Sequence, residues 1–259
     1  MEHSLEPSIQ IDNIQMKISI ITPTFNRKSF LAETIASVQA SVLIPHADVS
    51  FEHIIYDDGS TDGTPNLFTG KSYPDVRYIR NDKNQGQSKA RNDAVVEATG
   101  EYLFFLDSDD IILERTLYNF ARKAKQFPDS AWFTADFLHV DDDLKYINDD
   151  YYGWDFKDIP DMLNSIFKGE HYMQQNIFIK KEAFAKAGMF DPAMKMGEDL
   201  DLAVRLLLGG HMPHRCDFIS HLHRVHTKSL SGGVTKEMHL KSALELKTKY
   251  SKHLVQYKI

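Results

Sequence analysis

The chain has 259 residues, 42% of them hydrophobic, with 30 Lys and Arg against 37 Asp and Glu for a net charge of −7. That is enough apolar material for one large domain or two small ones, and the acidic balance argues against general nucleic-acid binding. The single Cys216 excludes an intramolecular disulfide framework and any multi-cysteine zinc site, and fits a reducing compartment. Residues 1–15 are polar and acidic with no signal-peptide core, and no stretch reaches the ~18 apolar residues of a membrane span, so a soluble cytoplasmic protein is expected.

Residues 17–22 are a β-branched run closed by Pro23, which predicts a first strand. Phe30, Leu31, Ile35, Val38 and Val42 recur at helical spacing over 29–42. A second apolar run, 51–56, ends in Asp57-Asp58-Gly59-Ser60-Thr61-Asp62-Gly63. Residues 76–80 predict a short third strand, and 88–99 a helix with Gly100 as its C-cap. Tyr102-Leu103-Phe104-Phe105-Leu106 then reads as a strand buried on both faces, running into Asp107-Ser108-Asp109-Asp110. A helix near 115–127 follows. This alternation predicts a mostly parallel α/β sheet, in which ligands bind outside the carboxyl ends of the strands. The loops at Pro23, Asp57 and Asp107 each follow a strand and so share one edge.

Beyond residue 131 the alternation weakens. Residues 131–140 predict another strand, and 141–161 are acidic, aromatic and irregular. A short strand at 176–179, a helix at 181–187 ended by Gly188, and an amphipathic helix at 198–208 ended by Gly209-Gly210 follow. The tail, 235–259, has a helical pattern with six Lys and two Glu. No repeat, low-complexity tract or linker divides the chain, so a single domain over 1–259 is expected.

Three carboxylates within four positions, at the rim of a low-dielectric core, repel one another and need a counter-ion. A hard divalent cation with oxygen ligands is the candidate, and helix capping by Ser108, Asp109 or Asp110 is the alternative. The Asp57–Gly63 loop is not an EF-hand, because a loop beginning at Asp58 would place Thr69 where a Glu is required. It reads either as a hairpin turn or as a carboxylate held at a strand end for a base N–H. Gly86, Lys89 and Arg91 at a helix start suit a phosphate or a solvated helix face. Glu198, Asp199 and Asp201 open a helix, as its dipole alone would favour. His221, His223 and His226 lack the pattern of a zinc site, and one of them is expected to complete the site at Asp107 and Asp109.

Together these segments resemble the family-2 inverting glycosyltransferases of bacterial type, with the GT-A fold. The matching pieces are Pro23-Thr24-Phe25-Asn26, Asp57-Asp58-Gly59-Ser60-Thr61-Asp62, Asn84-x-Gly86 with Ala90-Arg91-Asn92, and Asp107-Ser108-Asp109-Asp110. Gly188-Met189-Phe190-Asp191, Gly197-Glu198-Asp199 and His226-x-x-Ser229 complete the series in the family's order. The resemblance implies a single Rossmann-like mixed sheet flanked by helices, with a nucleotide-binding half at 17–130, an acceptor and catalytic half at 131–234, and the tail outside the match. It further implies transfer of a sugar from a nucleotide-sugar, usually a UDP-sugar, to a hydroxyl of a saccharide or glycolipid acceptor. In that scheme Thr22, Pro23, Thr24 and Asn26 contact the uridine, and Asp58 reads the uracil imide. Arg91 lies near the donor phosphates or the acidic motif, and Asp107 and Ser108 lie on the ribose or sugar side. Asp109 and His226 bind Mn²⁺ or Mg²⁺, Asp199 is the general base, and Glu198 orients the acceptor.

The chemistry agrees with this assignment. Loss of a nucleoside diphosphate needs its developing charge stabilised, and a poor hydroxyl nucleophile needs a base on the opposite face. A sugar nucleotidyltransferase is the competing enzyme class, but it would carry a glycine-rich phosphate loop where this chain has Thr22-Pro23-Thr24-Phe25-Asn26-Arg27. A non-catalytic nucleotide-sugar-binding protein is the other competitor. Tyr146, Tyr151, Tyr152 and Trp154 are candidates for stacking on an acceptor sugar or for the core. The net +4 tail reads as a solvated surface helix, with peripheral contact to the inner membrane face as the alternative.

Overall fold

The computed structural model describes residues 16–42, 48–147, 155–170, 176–226 and 235–259. Tyr151, Tyr152 and Trp154 therefore lie outside the described residues, as do Ser229, Ser231 and residues 1–15. The first half alternates as expected: β1 (Met16–Thr24), α1 (Lys28–Val42), β2 (Val49–Asp57), β3 (Val76–Arg80), α2 (Gln87–Glu97) and β4 (Tyr102–Phe105). A two-residue strand, β5 (Ile111–Ile112), precedes α3 (Thr116–Gln126) and β6 (Trp132–Val140). Then come α4 (Ile159–Lys168), β7 (Phe178–Lys180), α5 (Lys181–Lys186), α6 (Glu198–Leu208), β8 (His214–Arg224) and α7 (Lys236–Leu254).

One eight-stranded sheet runs β3-β2-β1-β4-β7-β6-β8-β5. β1, β2, β3 and β4 are parallel, whereas β7 is antiparallel to both neighbours and β5 antiparallel to β8. The sheet is thus mixed, with its parallel character concentrated in the first half. β2 and β3 are parallel, which rules out a hairpin at the Asp57–Gly63 loop, since a two-residue turn joins only antiparallel strands.

β1 and β4 sit mid-sheet because their apolar runs leave no face for water. Ile18, Ile20, Ile21 and all of Tyr102-Leu103-Phe104-Phe105 are buried. Gly100 is required by the approach of the chain to β1: an added Cβ would lie 2.5 Å from Ser19 Oγ and 2.9 Å from the Lys17 carbonyl oxygen. It is not the C-cap of α2, which ends at Glu97 with Ala98 as cap.

Besides the two-residue β5, two longer elements escaped the sequence reading. α4 carries Met162, Leu163, Ile166 and Phe167 on its buried side, is capped by the Asp158 side chain on the Asp161 N–H, and stops at the left-handed Gly169. β8 alternates poorly because a register irregularity against β6 interrupts its pairing around Asp136. Nor is the tail a wholly solvated helix. Leu246 and Leu254 of α7 enter the same core as α4 and α6, and Ala243 is buried beside them on the same helix. Lys249 and Tyr250 also reach the fully buried Asp201 of α6, each at 2.7 Å. Leu246→Ala is therefore expected to cost about 2–4 kcal/mol in denaturant unfolding, the range for truncating a buried leucine; a freely solvated α7 would leave stability unchanged. Among the described residues no helix is long and apolar enough to cross a membrane.

Candidate active site

The carboxyl ends of β1, β2 and β4 meet along one edge, since their register is continuous and parallel. Asn26 follows β1 with a left-handed backbone (φ 54°), a conformation its short polar side chain tolerates. Its backbone N–H donates to Ser60 Oγ at 2.9 Å, and its side-chain Oδ1 accepts from the Thr61 N–H at 2.7 Å. This pins the loop after β1 to the loop after β2. Asp57 is fully buried and accepts from the Ser60 N–H and the Tyr78 hydroxyl. Asp58 accepts from the backbone N–H groups of Gln85, at 2.9 Å, and Gly86, at 2.8 Å. Gly59 (φ 84°) lets these loops touch, because a Cβ there would sit 3.0 Å from the Asn84 nitrogen. Asp58 thus gathers the loop that opens α2, leaving part of its acceptor capacity for another donor.

Thr22, Pro23, Thr24 and Ser108, all expected contact residues, lie deep. Thr22 has no exposed surface and its hydroxyl sits 2.9 Å from His53 Nε2, so it supports the rim from beneath. Ser108 is likewise buried. Pro23 and Thr24 form the buried end of β1.

Lys89 and Arg91 part ways on α2. Lys89 pairs with Asp93 one turn on, along the helix surface, while Arg91 turns inward and is 1% exposed. Its two terminal nitrogens bridge Glu198 Oε1 at 2.9 Å and Asp107 Oδ1 at 2.8 Å. Of the two places open to Arg91, the structure puts it on the acidic motif. One guanidinium therefore ties the end of β4 to the first turn of α6, whose Glu198 lies 107 residues beyond Arg91 in sequence. Gln87 Nε2 also donates to Glu198 Oε1, at 2.5 Å. Sequence reading had passed over Gln87, which stands one position after the helix-opening glycine.

Beside Glu198, Asp199 is half-buried, and its Oδ1 accepts from the Leu200 N–H at 2.8 Å. Burial, then the neighbouring Glu198 charge, raise it to about 7, against the opposing pull of Leu200 and Arg91. Such a carboxyl is poised to take a proton near neutral pH. Burial also lifts Asp107, to about 6; Arg91 opposes this, and Asp110 and Asp109 add to it.

At the other side of β4, Asp109 Oδ2 lies 2.9 Å from His226 Nε2 and 3.4 Å from Arg27 Nε. Asp110 faces away from this pair. It is fully buried and accepts from Asn176 Nδ2 at 2.7 Å, His223 Nδ1 at 3.3 Å and the Arg224 N–H at 3.0 Å. Burial alone would raise it, but His223, His221 and that amide hold it well below the usual carboxylate range. The three histidines do not converge. His221 packs on Phe137 and bonds Ser220 Oγ, His223 serves Asp110, and only His226 reaches Asp109. Arg224, which stands among them in the sequence, is 1% exposed; its Nε donates to the Asp109 carbonyl at 2.9 Å and its charge lies 4.6 Å over the Phe30 ring. Phe30 in turn lies 4.9 Å from the His226 ring, so the Asp109–His226 pair is held from behind.

Among the described residues no three His, Cys, Asp or Glu side chains converge into a complete metal cage. The Asp109–His226 pair fits a different pattern, in which a divalent cation takes one or two protein ligands and completes its sphere with substrate phosphates and water.

A family model described as Glycosyl transferase family 2 matches residues 19–188. The chain therefore belongs to glycosyltransferase family 2. Over 112 residues, 41% of this chain, it is 38% identical to the poly(ribitol-phosphate) beta-N-acetylglucosaminyltransferase TarP of Staphylococcus aureus (strain N315), and this spans 33% of that protein. Over 197 residues it is 30% identical to an uncharacterised glycosyltransferase of Haemophilus influenzae, covering 73% of this chain and 62% of the relative. In three dimensions it is similar to residues 1–349 of S. aureus TarS, solved in complex with UDP-GlcNAc, with a TM-score of 0.68 and 18% identity over 91% of this chain and 73% of that one. The likeness establishes the GT-A fold.

Proposed function

We propose that this chain is an inverting glycosyltransferase that moves a sugar from a UDP-sugar to a hydroxyl of a saccharide, polyol-phosphate or lipid-linked acceptor. The observation that carries the proposal is the buried Asp107–Arg91–Glu198 bridge, which fixes the acidic end of β4 against the helix that presents Asp199. Support also comes from relatives: TarP acts on poly(ribitol-phosphate), and a Campylobacter jejuni relative, 32% identical over 113 residues, is a GalNAc(5)-diNAcBac-PP-undecaprenol beta-1,3-glucosyltransferase.

In this reading the loops after β1 and β2 cradle the nucleoside, with Asn26 at the rim, Thr22, Pro23 and Thr24 behind it at the buried end of β1, and Asp58 accepting from the uracil imide. Asp107 and Ser108 border the ribose and donor sugar. Asp109 and His226 would hold Mn²⁺ or Mg²⁺, which supplies Lewis-acid stabilisation of the diphosphate. Asp199 takes the proton from the acceptor hydroxyl as that oxygen forms a bond to the anomeric carbon. The bond to the diphosphate breaks on the opposite face, its electron pair leaves with the phosphate oxygen, and the configuration inverts. Glu198, held by Arg91 and Gln87, orients the acceptor. The protein would work in the cytoplasm or peripherally at the inner membrane face.

A screen of UDP-, GDP-, TDP- and CDP-compounds for Mn²⁺-dependent thermal stabilisation tests the donor. UDP-sugars are expected to raise the melting temperature most, since a bound ligand stabilises by mass action. Cytosine presents no N–H where uracil does, so CDP should stabilise far less. Equal shifts with UDP and CDP would remove Asp58 from base recognition.

A further inference from the structure

Arg27 stands at the point where the proposed cation would enter. Its Nε is 3.4 Å from Asp109 Oδ2, the same oxygen that meets His226 Nε2 at 2.9 Å. The contact is shielded, with the two side chains 21% and 16% exposed. Its backbone neighbour Asn26 is pinned by Ser60 and Thr61, so Arg27 has a fixed root and a long flexible side chain. A divalent cation bound to Asp109 Oδ2 would share that oxygen with a guanidinium, and two cations on one oxygen repel. The guanidinium fork is suited to phosphate, with which it forms paired, charge-assisted hydrogen bonds.

We propose that Arg27 is the counter-ion of Asp109 in the donor-free protein and moves onto the diphosphate when donor and cation bind. There it is a catalytic residue for the leaving group, placing a positive charge beside phosphate oxygens whose negative charge grows as the glycosidic bond breaks. Arg27 directly follows Pro23-Thr24-Phe25-Asn26, within the residues 19–188 that the family model matches. The inference rests on the donor and cation reading of the site. It adds one distinct consequence: Arg27 competes with the cation before the donor arrives and assists departure afterwards.

The test uses the full chain and its Arg27→Gln and Arg27→Lys variants. Mn²⁺ alone is titrated by calorimetry without nucleotide, and kcat is measured as UDP release by hydrolysis, with Mn²⁺, water as the acceptor and the UDP-sugar that stabilises the parent most. Arg27→Gln is expected to bind Mn²⁺ about tenfold more tightly, the scale on which a charge within hydrogen-bond range biases a carboxylate. Its kcat is expected to fall by roughly 10² as one donor to the developing oxyanion is lost. Arg27→Lys should recover part of the kcat and restore the weaker Mn²⁺ binding. Mn²⁺ affinity equal to or below the parent's in Arg27→Gln, or tighter binding with undiminished kcat, overturns the role. A parent that binds neither Mn²⁺ nor UDP overturns the donor reading itself, a result distinct from a failure confined to the variants.

Discussion

Asp199→Asn is expected to retain UDP-sugar binding and to lose turnover by roughly 10² or more, the contribution of a positioned general base. The substitution is nearly isosteric and keeps an oxygen to accept the Leu200 N–H, now at 2.8 Å, so the first turn of α6 should stay in place. What it removes is the capacity to take a proton. The pH dependence of the parent provides a second check. Burial and Glu198 hold Asp199 protonated up to about 7, so the base is inactive below that value and active above it. The ratio kcat/KM reports the free enzyme and is expected to rise with pH through the neutral region. Near-normal transfer by Asp199→Asn would leave this carboxylate only a helix-opening acid favoured by the dipole.

Arg91→Met carries the largest expected effect on stability. Methionine approximates the length of the side chain and none of its charge. Asp107 and Glu198 would then lie within the core edge with no cation between them, and removing one partner of a buried ion pair costs about 3–5 kcal/mol. Against a total stability on the order of 5–15 kcal/mol, that is a large fraction. Arg91 also opposes the burial that pushes Asp107 up to about 6, so its loss should raise Asp107 further. Denaturant unfolding at pH 8, where Asp107 is charged, should show the full loss, and unfolding near pH 5 a smaller one as protonation relieves Asp107. An equal loss at both values would assign the effect to packing against Phe190, which lies 5.4 Å from the guanidinium.

The sheet's first half was legible because each strand there is a short β-branched or aromatic run ending at a turn signal. The acids at 107–110 were legible as a group, but their division of labour was not. Asp109 and Asp110 are adjacent and chemically identical, yet one meets His226 and Arg27 while the other is buried against Asn176, His223 and Arg224. That split depends on β8, whose register irregularity and three histidines hid its alternation. α4 could have been found from Met162, Leu163, Ile166 and Phe167 at helical spacing behind Asp158; the acidic, aromatic stretch before it drew the reading toward a loop. The Arg91 bridge joins residues far apart in the chain, so only the fold reveals that the cation at the start of α2 neutralises the end of β4 and the start of α6.

The central claim is that the Asp109 end of β4 binds a nucleoside diphosphate through a divalent cation. Calorimetric titration of UDP into the parent and into Asp109→Asn, with Mn²⁺ present and again with the metal chelated, tests it most directly. Mn²⁺-dependent UDP binding is expected in the parent, and its loss in a folded Asp109→Asn variant. UDP binding of equal strength with and without Mn²⁺, or an unchanged metal requirement in the variant, would contradict the account and place the diphosphate elsewhere.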